Sequence, residues 1–179
     1  MEGGAAVILC SGFQMVEVDY NEFLPKVIEQ LGGGGLFLAS GIEKPSAMVI
    51  GWGSVGIYWK KPVFIAPVRF SRFTHGLIEE TNEFTVSIPF GGLKKELAFC
   101  GSKSGRDVDK FKEMNLTAMP SQNVKVPVIG ECDLFYECKV IYKRDMVLEA
   151  LEDVSTNRWY AKGDPHTMYY GEIVACYKK

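Results

Sequence analysis

From residue 36 to residue 177 the chain is a succession of short strand-like runs that do not alternate regularly with helices. No other feature constrains the fold as much. The runs are Leu36–Ser40, Ala47–Ser54, Pro62–Val68, Phe84–Pro89, Leu134–Tyr142, Val147–Leu151 and Met168–Tyr177. Helical spacing is confined to a few pieces. In Asn21–Leu31 the apolar residues Phe23, Leu24, Val27, Ile28 and Leu31 share one face, with Asn21 as the N-cap. Phe73–Glu80, Lys94–Phe99 and Asp107–Met114 are shorter, the last capped by Asp107. A doubly wound sheet needs strands and helices in turn, so this order predicts a mainly β antiparallel barrel with a few short helices.

The chain has 179 residues, 47% hydrophobic and 23% charged, which fits one domain with a substantial core. Residues 16–179 read as that domain and residues 1–15 as an atypical N-terminal leader, because the folding pattern begins at Val16–Asp19. The apolar stretch Ala5–Leu9 is short and Met1–Gly4 carries no positive charge, a poor secretion signal. A cytoplasmic location is expected. Acidic residues outnumber basic ones only 22 to 20, with no Lys/Arg-rich run, which argues against nucleic-acid and membrane-surface partners. Any phosphate must then be bound by a local cluster. The five cysteines form no CxxC pair, so neither a disulfide framework nor a zinc site is expected. Even spacing places Cys132 and Cys138 on one face of a continuous strand as buried thiols. The run Gly32–Gly35 follows a helix and leads into a strand, the reverse of a phosphate-binding glycine loop, and reads as a connector.

Four segments carry chemistry. Val68–His75 lies where a strand gives way to a helix. Guanidinium donors, the Ser71 and Thr74 hydroxyls and the positive end of the helix all suit a phosphate there. A plain helix start with Ser71 as cap fits the same residues. In Ser46–Ser54, glycines on either side of Trp52 bare backbone groups beside an aromatic wall, as a flat ligand requires, although a large aromatic is also ordinary core. Cys100–Phe111 is a small, polar loop bearing Lys103, Arg106 and Lys110. In Asp164–Glu172, Pro165 delivers His166 to the mouth of the last strand, where a neutral imidazole would hydrogen-bond a ligand and a protonated one would balance a phosphate. No nucleophile–base pairing stands out, which points to chemistry carried by a cofactor.

In this order the segments GWGS at 51–54, RxSRFTH at 69–75, SGRDVDKF at 104–111 and HTMYYGEI at 166–173 resemble the flavin reductase-like FMN-binding split barrels, and among them the flavoredoxin type. The resemblance covers Leu36 to Tyr177. It implies a homodimer with FMN in a groove near the subunit interface. It also implies electrons passing from NAD(P)H or a protein donor through FMN to a flavin or a redox partner protein. An FMN storage or sensory module without turnover carries the same contacts. The resemblance places Trp52 beside the flavin ring and Arg69, Ser71 and Thr74 around the phosphate. Lys110 and His166 contact the cofactor, Ser104 lies in the matching loop, and Met48 and Phe73 join the cofactor-binding set. Ser46 stands where the family carries an asparagine. No catalytic side chain and no metal ligand are implied. The chain stops at Lys179 without the extension that covers the flavin in some members, which implies an exposed flavin or one covered by the partner subunit.

Overall fold

Two long strands, β10 (Leu134–Asp145) and β11 (His166–Lys178), form the spine of a computed structural model that describes residues 7–10, 13–152 and 158–179. The remaining strands are β1 (Val7–Cys10), β2 (Phe13–Glu17), β3 (Leu36–Ser40), β4 (Ser46–Ile50), β5 (Ser54–Tyr58), β6 (Lys61–Arg69) and β7 (Glu83–Ile88), with the two-residue β8 (Ala118–Met119) and β9 (Val128–Ile129) paired apart. Among the described residues nine strands make one antiparallel sheet, in the order β1-β2-β11-β10-β7-β3-β4, with β6 on the other flank of β11 and β5 beyond it. The mainly β antiparallel architecture with a few short helices is therefore present.

The sheet curls without closing. β4 pairs with β3, and β6 pairs with β5 and β11, so no ladder joins β4 to β6. This split positions the functional groove. Strand alternation sorts the core into two bodies. Leu36, Leu38, Met48, Phe64, Val86 and Tyr136 fill the barrel interior. Phe37, Ala39, Ala47, Leu97, Phe111 and Phe135 form a second cluster on the outer face, under α3 (Lys94–Ser102) and α4 (Lys110–Glu113). β3 is thus buried on both faces.

Several sequence expectations shift. The strand expected over Ala47–Ser54 is two: the chain leaves the ladder after Ile50 and re-enters at Ser54, which frees Trp52 from any pairing. Val147–Leu151 is a 3-10 turn over Leu148–Ala150 rather than a strand, because β10 runs on to Asp145 and ends there. Cys132 and Cys138 do not share a strand face. Cys132 precedes β10 and packs in the outer cluster, whereas Cys138 faces the barrel interior. The helix α1 (Leu24–Gly33) starts after Phe23 without a side-chain cap, and α4 is capped by Asp109, which accepts from the Lys112 N–H at 3.1 Å, rather than by Asp107. β1 pairs with β2, which crosses from residues 1–15 into the domain at Val16 and joins β11 there through Val16 and Glu17.

Candidate functional site

The split between β4 and β6 holds two adjoining cavities that share Met48 and Arg72. The aromatic end, about 180 Å³, is lined by Met48–Trp52, Pro67, Arg69, Arg72, Trp159 and His166. The polar end, about 110 Å³, is lined by Met48, Ser71–Thr74, Ser102–Gly105 and Lys110.

The polar end is built by two turns. β6 ends at Arg69, and α2 (Phe73–Thr81) begins after Arg72 in extended conformation, so the free N–H groups of the first helical turn sit in the cavity wall. No side chain caps this helix; Ser71 turns to Asp164 instead. Arg106, from the loop between α3 and α4, donates to the Ser71 carbonyl at 2.9 Å and lies over the Phe73 ring, clamping the two turns together. Arg72, Lys103 and Lys110 bring three cationic side chains to the lining, which contains no carboxylate. Lys110 is buried and donates to the carbonyls of Ala47 and Cys100, both at 2.7 Å. Burial pulls its pKa below the usual lysine range. The ammonium has three donors, so one remains beyond those two carbonyls.

Ser46 adds a second sign of an anion site. It is 4% exposed, and its hydroxyl is fully buried with no hydrogen-bond partner. A buried, unspent hydroxyl costs about 1–3 kcal/mol, which a ligand oxygen would recover. Gly105, in the cavity lining, passes so close to Ser46 and Phe73 that an added Cβ would overlap the Ser46 hydroxyl and lie 2.6 Å from the Phe73 ring. Only glycine lets this loop approach.

The aromatic end is assembled from distant segments. Trp52, raised off the sheet between β4 and β5, meets Trp159 edge-on at 5.4 Å and His166 at 5.2 Å between ring centroids. His166 pairs with Arg69 at the start of the β11–β6 ladder and is 6% exposed. Burial, with Arg69 adding to it, pushes its pKa down to about 4, so the ring is neutral at pH 7. Its Nδ1 lies 2.9 Å from the Tyr160 hydroxyl. The neutral form of the two considered from sequence is the one this environment supports.

Arg69 departs from its expected place. It lines the aromatic end, not the polar one. Its Nη1 donates to the Asp164 carbonyl at 2.5 Å and its Nη2 to the Trp159 carbonyl at 2.9 Å, while its guanidinium lies over the Tyr160 ring at 5.1 Å. The ladder partnership with His166 turns it toward the chain entering β11. Ser71, too, is engaged there: the Asp164 carboxylate accepts from its hydroxyl at 2.7 Å and its N–H at 3.2 Å. Arg72 borders both cavities while donating to the Gly101 carbonyl at 3.3 Å. Met48, Phe73, Thr74, Ser104 and Lys110 all line the groove, and Ser46 lies directly behind Gly105. His75, the last residue of the motif, faces elsewhere, with Nε2 3.0 Å from the Thr167 hydroxyl. Among the described residues no group of three or more His, Cys, Asp or Glu side chains is placed to hold a metal. Cys100, Cys132, Cys138 and Cys176 are free and buried, and burial pushes their thiols up, so none is a ready nucleophile.

The flavin reductase like domain matches residues 35–179. The chain belongs to this family. An uncharacterised protein of Archaeoglobus fulgidus is 34% identical over 137 residues, covering 76% of this chain and 67% of the relative. Flavoredoxin from Methanosarcina acetivorans superposes with a TM-score of 0.63 at 27% identity, over 82% of this chain and 68% of that one. Flavoredoxin of Desulfovibrio vulgaris (Miyazaki F) gives 0.66 at 23% identity, over 81% and 69%. The fold is thus the flavin reductase-like split barrel of the flavoredoxin type. The groove's polar end, with its cations, helix N-terminus and orphaned hydroxyl, fits a phosphate, and the aromatic end fits a flat ring; together they fit a flavin mononucleotide.

Proposed function

We propose that this chain is an FMN-carrying oxidoreductase, in which electrons pass from NAD(P)H or a protein donor through FMN to a flavin or a partner protein. Membership of the flavin reductase-like family supports a flavin-related redox role. The single observation that carries the finer reading is the carboxylate-free polar cavity at the start of α2, joined through Met48 and Arg72 to a cavity walled by Trp52, Trp159 and His166. Arg72, Thr74, Ser104 and Lys110 would hold the phosphate, with Ser46 Oγ available to a neighbouring oxygen. Trp52 and His166 would together form one wall against the ring. Bound FMN supplies the one- and two-electron chemistry. The protein's part is to position the ring and set its electrostatics, with Arg69 and Arg72 bordering the aromatic end beside the neutral His166.

We further place the protein in the cytoplasm as a homodimer. Four unpaired buried thiols suit a reducing compartment. A dimer is supported by the tip of the β5–β6 hairpin, where Trp59 is exposed in left-handed conformation (φ 50°) beside Tyr58, Tyr142 and Tyr170. Exposed aromatic clusters of this kind mark interaction surfaces.

The purified protein is expected to be yellow and to bleach with NADH or NADPH under anaerobic conditions. Bleaching with dithionite but not with either nicotinamide would leave an electron carrier and remove the reductase. A colourless protein that takes up no FMN on titration would remove both.

A further inference from the structure

The geometry points to Arg158–Pro165 as a strap that closes the aromatic end of the groove, with Trp159 as a ring-contacting residue and Asp164 as its latch. This rests on the flavin reading above. The contacts converge on one segment. Both terminal nitrogens of Arg69 donate to strap carbonyls, those of Asp164 and Trp159. The Asp164 carboxylate takes the Ser71 hydroxyl and N–H, and the Phe70 N–H donates to the Pro165 carbonyl at 3.2 Å, extending the β6–β11 ladder into the strap. Tyr160 adds its hydroxyl to His166 Nδ1. The product of these bonds is the position of one side chain, Trp159, whose indole packs edge-on against Trp52 in the cavity lining and is 50% exposed. A large aromatic held half in water by a network of polar contacts adds little to a core. It is well placed to contribute a preorganised wall for a planar heteroaromatic ligand.

Two alternative roles for the carboxylate make opposite predictions. As a latch, Asp164 holds the wall and its loss weakens ring binding. As an internal anion occupying donors that a phosphate would use, its loss strengthens FMN binding. The strap assigns it the first role, because Asp164 is tied by its own backbone to Arg69 as well as by its carboxylate to Ser71.

The test measures dissociation constants of FMN and of riboflavin, which lacks the phosphate, by flavin fluorescence. Circular dichroism checks the fold of each variant. Trp159→Ala is expected to weaken both ligands by the same factor, about tenfold, with Trp159→Phe recovering most of it. Asp164→Ala is expected to weaken both by a smaller common factor and to reduce the quenching of tryptophan emission by bound flavin. Wild-type protein that binds FMN while Trp159→Ala leaves both constants unchanged, or shifts FMN alone, overturns the strap and leaves the flavin reading standing. Tighter FMN binding in Asp164→Ala overturns the latch. Wild-type protein that binds neither ligand overturns the flavin reading itself.

Discussion

The two ends of the groove, both set at an unclosed sheet edge, are built by opposite means. The polar end is local. Its donors come from two short stretches, Ser71–Thr74 and Ser102–Lys110, and its field comes from a helix terminus and three cationic side chains. The aromatic end is non-local. Trp52, between β4 and β5, meets Trp159 and His166 from the segment that leads into β11, and the histidine is kept neutral by burial. A chain with near-neutral overall charge thus gathers Arg72, Lys103 and Lys110 at the polar end, while the aromatic end is bordered by Arg69 and Arg72 and keeps its imidazole neutral. An anion is recognised by charge and fixed donors, a ring by shape and apolar area, and the two contributions should be separable.

Arg72→Ala should break the polar end with the largest effect. Losing a charge-assisted contact is expected to cost about 1.5–3 kcal/mol of FMN binding, roughly ten- to a hundredfold, and to leave riboflavin almost untouched. The ratio of the two constants, measured by titration, is the readout. Equal weakening of both ligands would show that Arg72 serves the wall it also borders and that the ends are not independent.

His166 sharpens the comparison from the other side. Its folded pKa of about 4 lies below the ordinary 6.5, so protons bind the unfolded chain more readily than the native one. Stability from this group is complete above pH 6.5 and is lost as the pH falls from there toward 4. The loss at pH 5 is about 2 kcal/mol. Denaturant melts of wild type and His166→Gln at pH 5 and 7.5 should show a wild-type pH slope from which this contribution has disappeared in the variant. Parallel slopes would mean the imidazole is not buried neutral.

The same contrast explains what was legible in the sequence. The polar end was readable because its parts are contiguous: a strand, a Ser-Arg turn and a helix in one heptad of residues. Even so, residue order could not decide between Arg69 and Arg72. That choice depends on the ladder register that pairs Arg69 with His166 and hands its donors to the strap. At the aromatic end Trp52 and His166 were recognisable from their motifs. Trp159 was not, because the segment that carries it has no periodicity and acquires its place through bonds to Arg69, Phe70, Ser71 and His166. The sheet was legible wherever both faces are buried, as in β3, and misread where a strand outruns its apolar pattern. β10 continues through exposed Lys143 and Arg144, which drew the next apolar run into a false strand.

Ser46→Ala is the finest test of the two-ended groove, because its expected sign differs between the free and the loaded protein. Ser46 Oγ is buried beside Gly105 and Phe73 without a partner, so removing it deletes an unpaid desolvation cost. The ligand-free variant should be as stable as wild type or gain up to about 1 kcal/mol in a urea melt. The FMN-loaded variant should lose that advantage, since the hydroxyl then has an oxygen to bond. The difference between the two melts isolates one hydrogen bond at the polar end. A variant destabilised equally with and without FMN would show that the hydroxyl already has a use in the fold, and the polar end would lose its second sign of an anion.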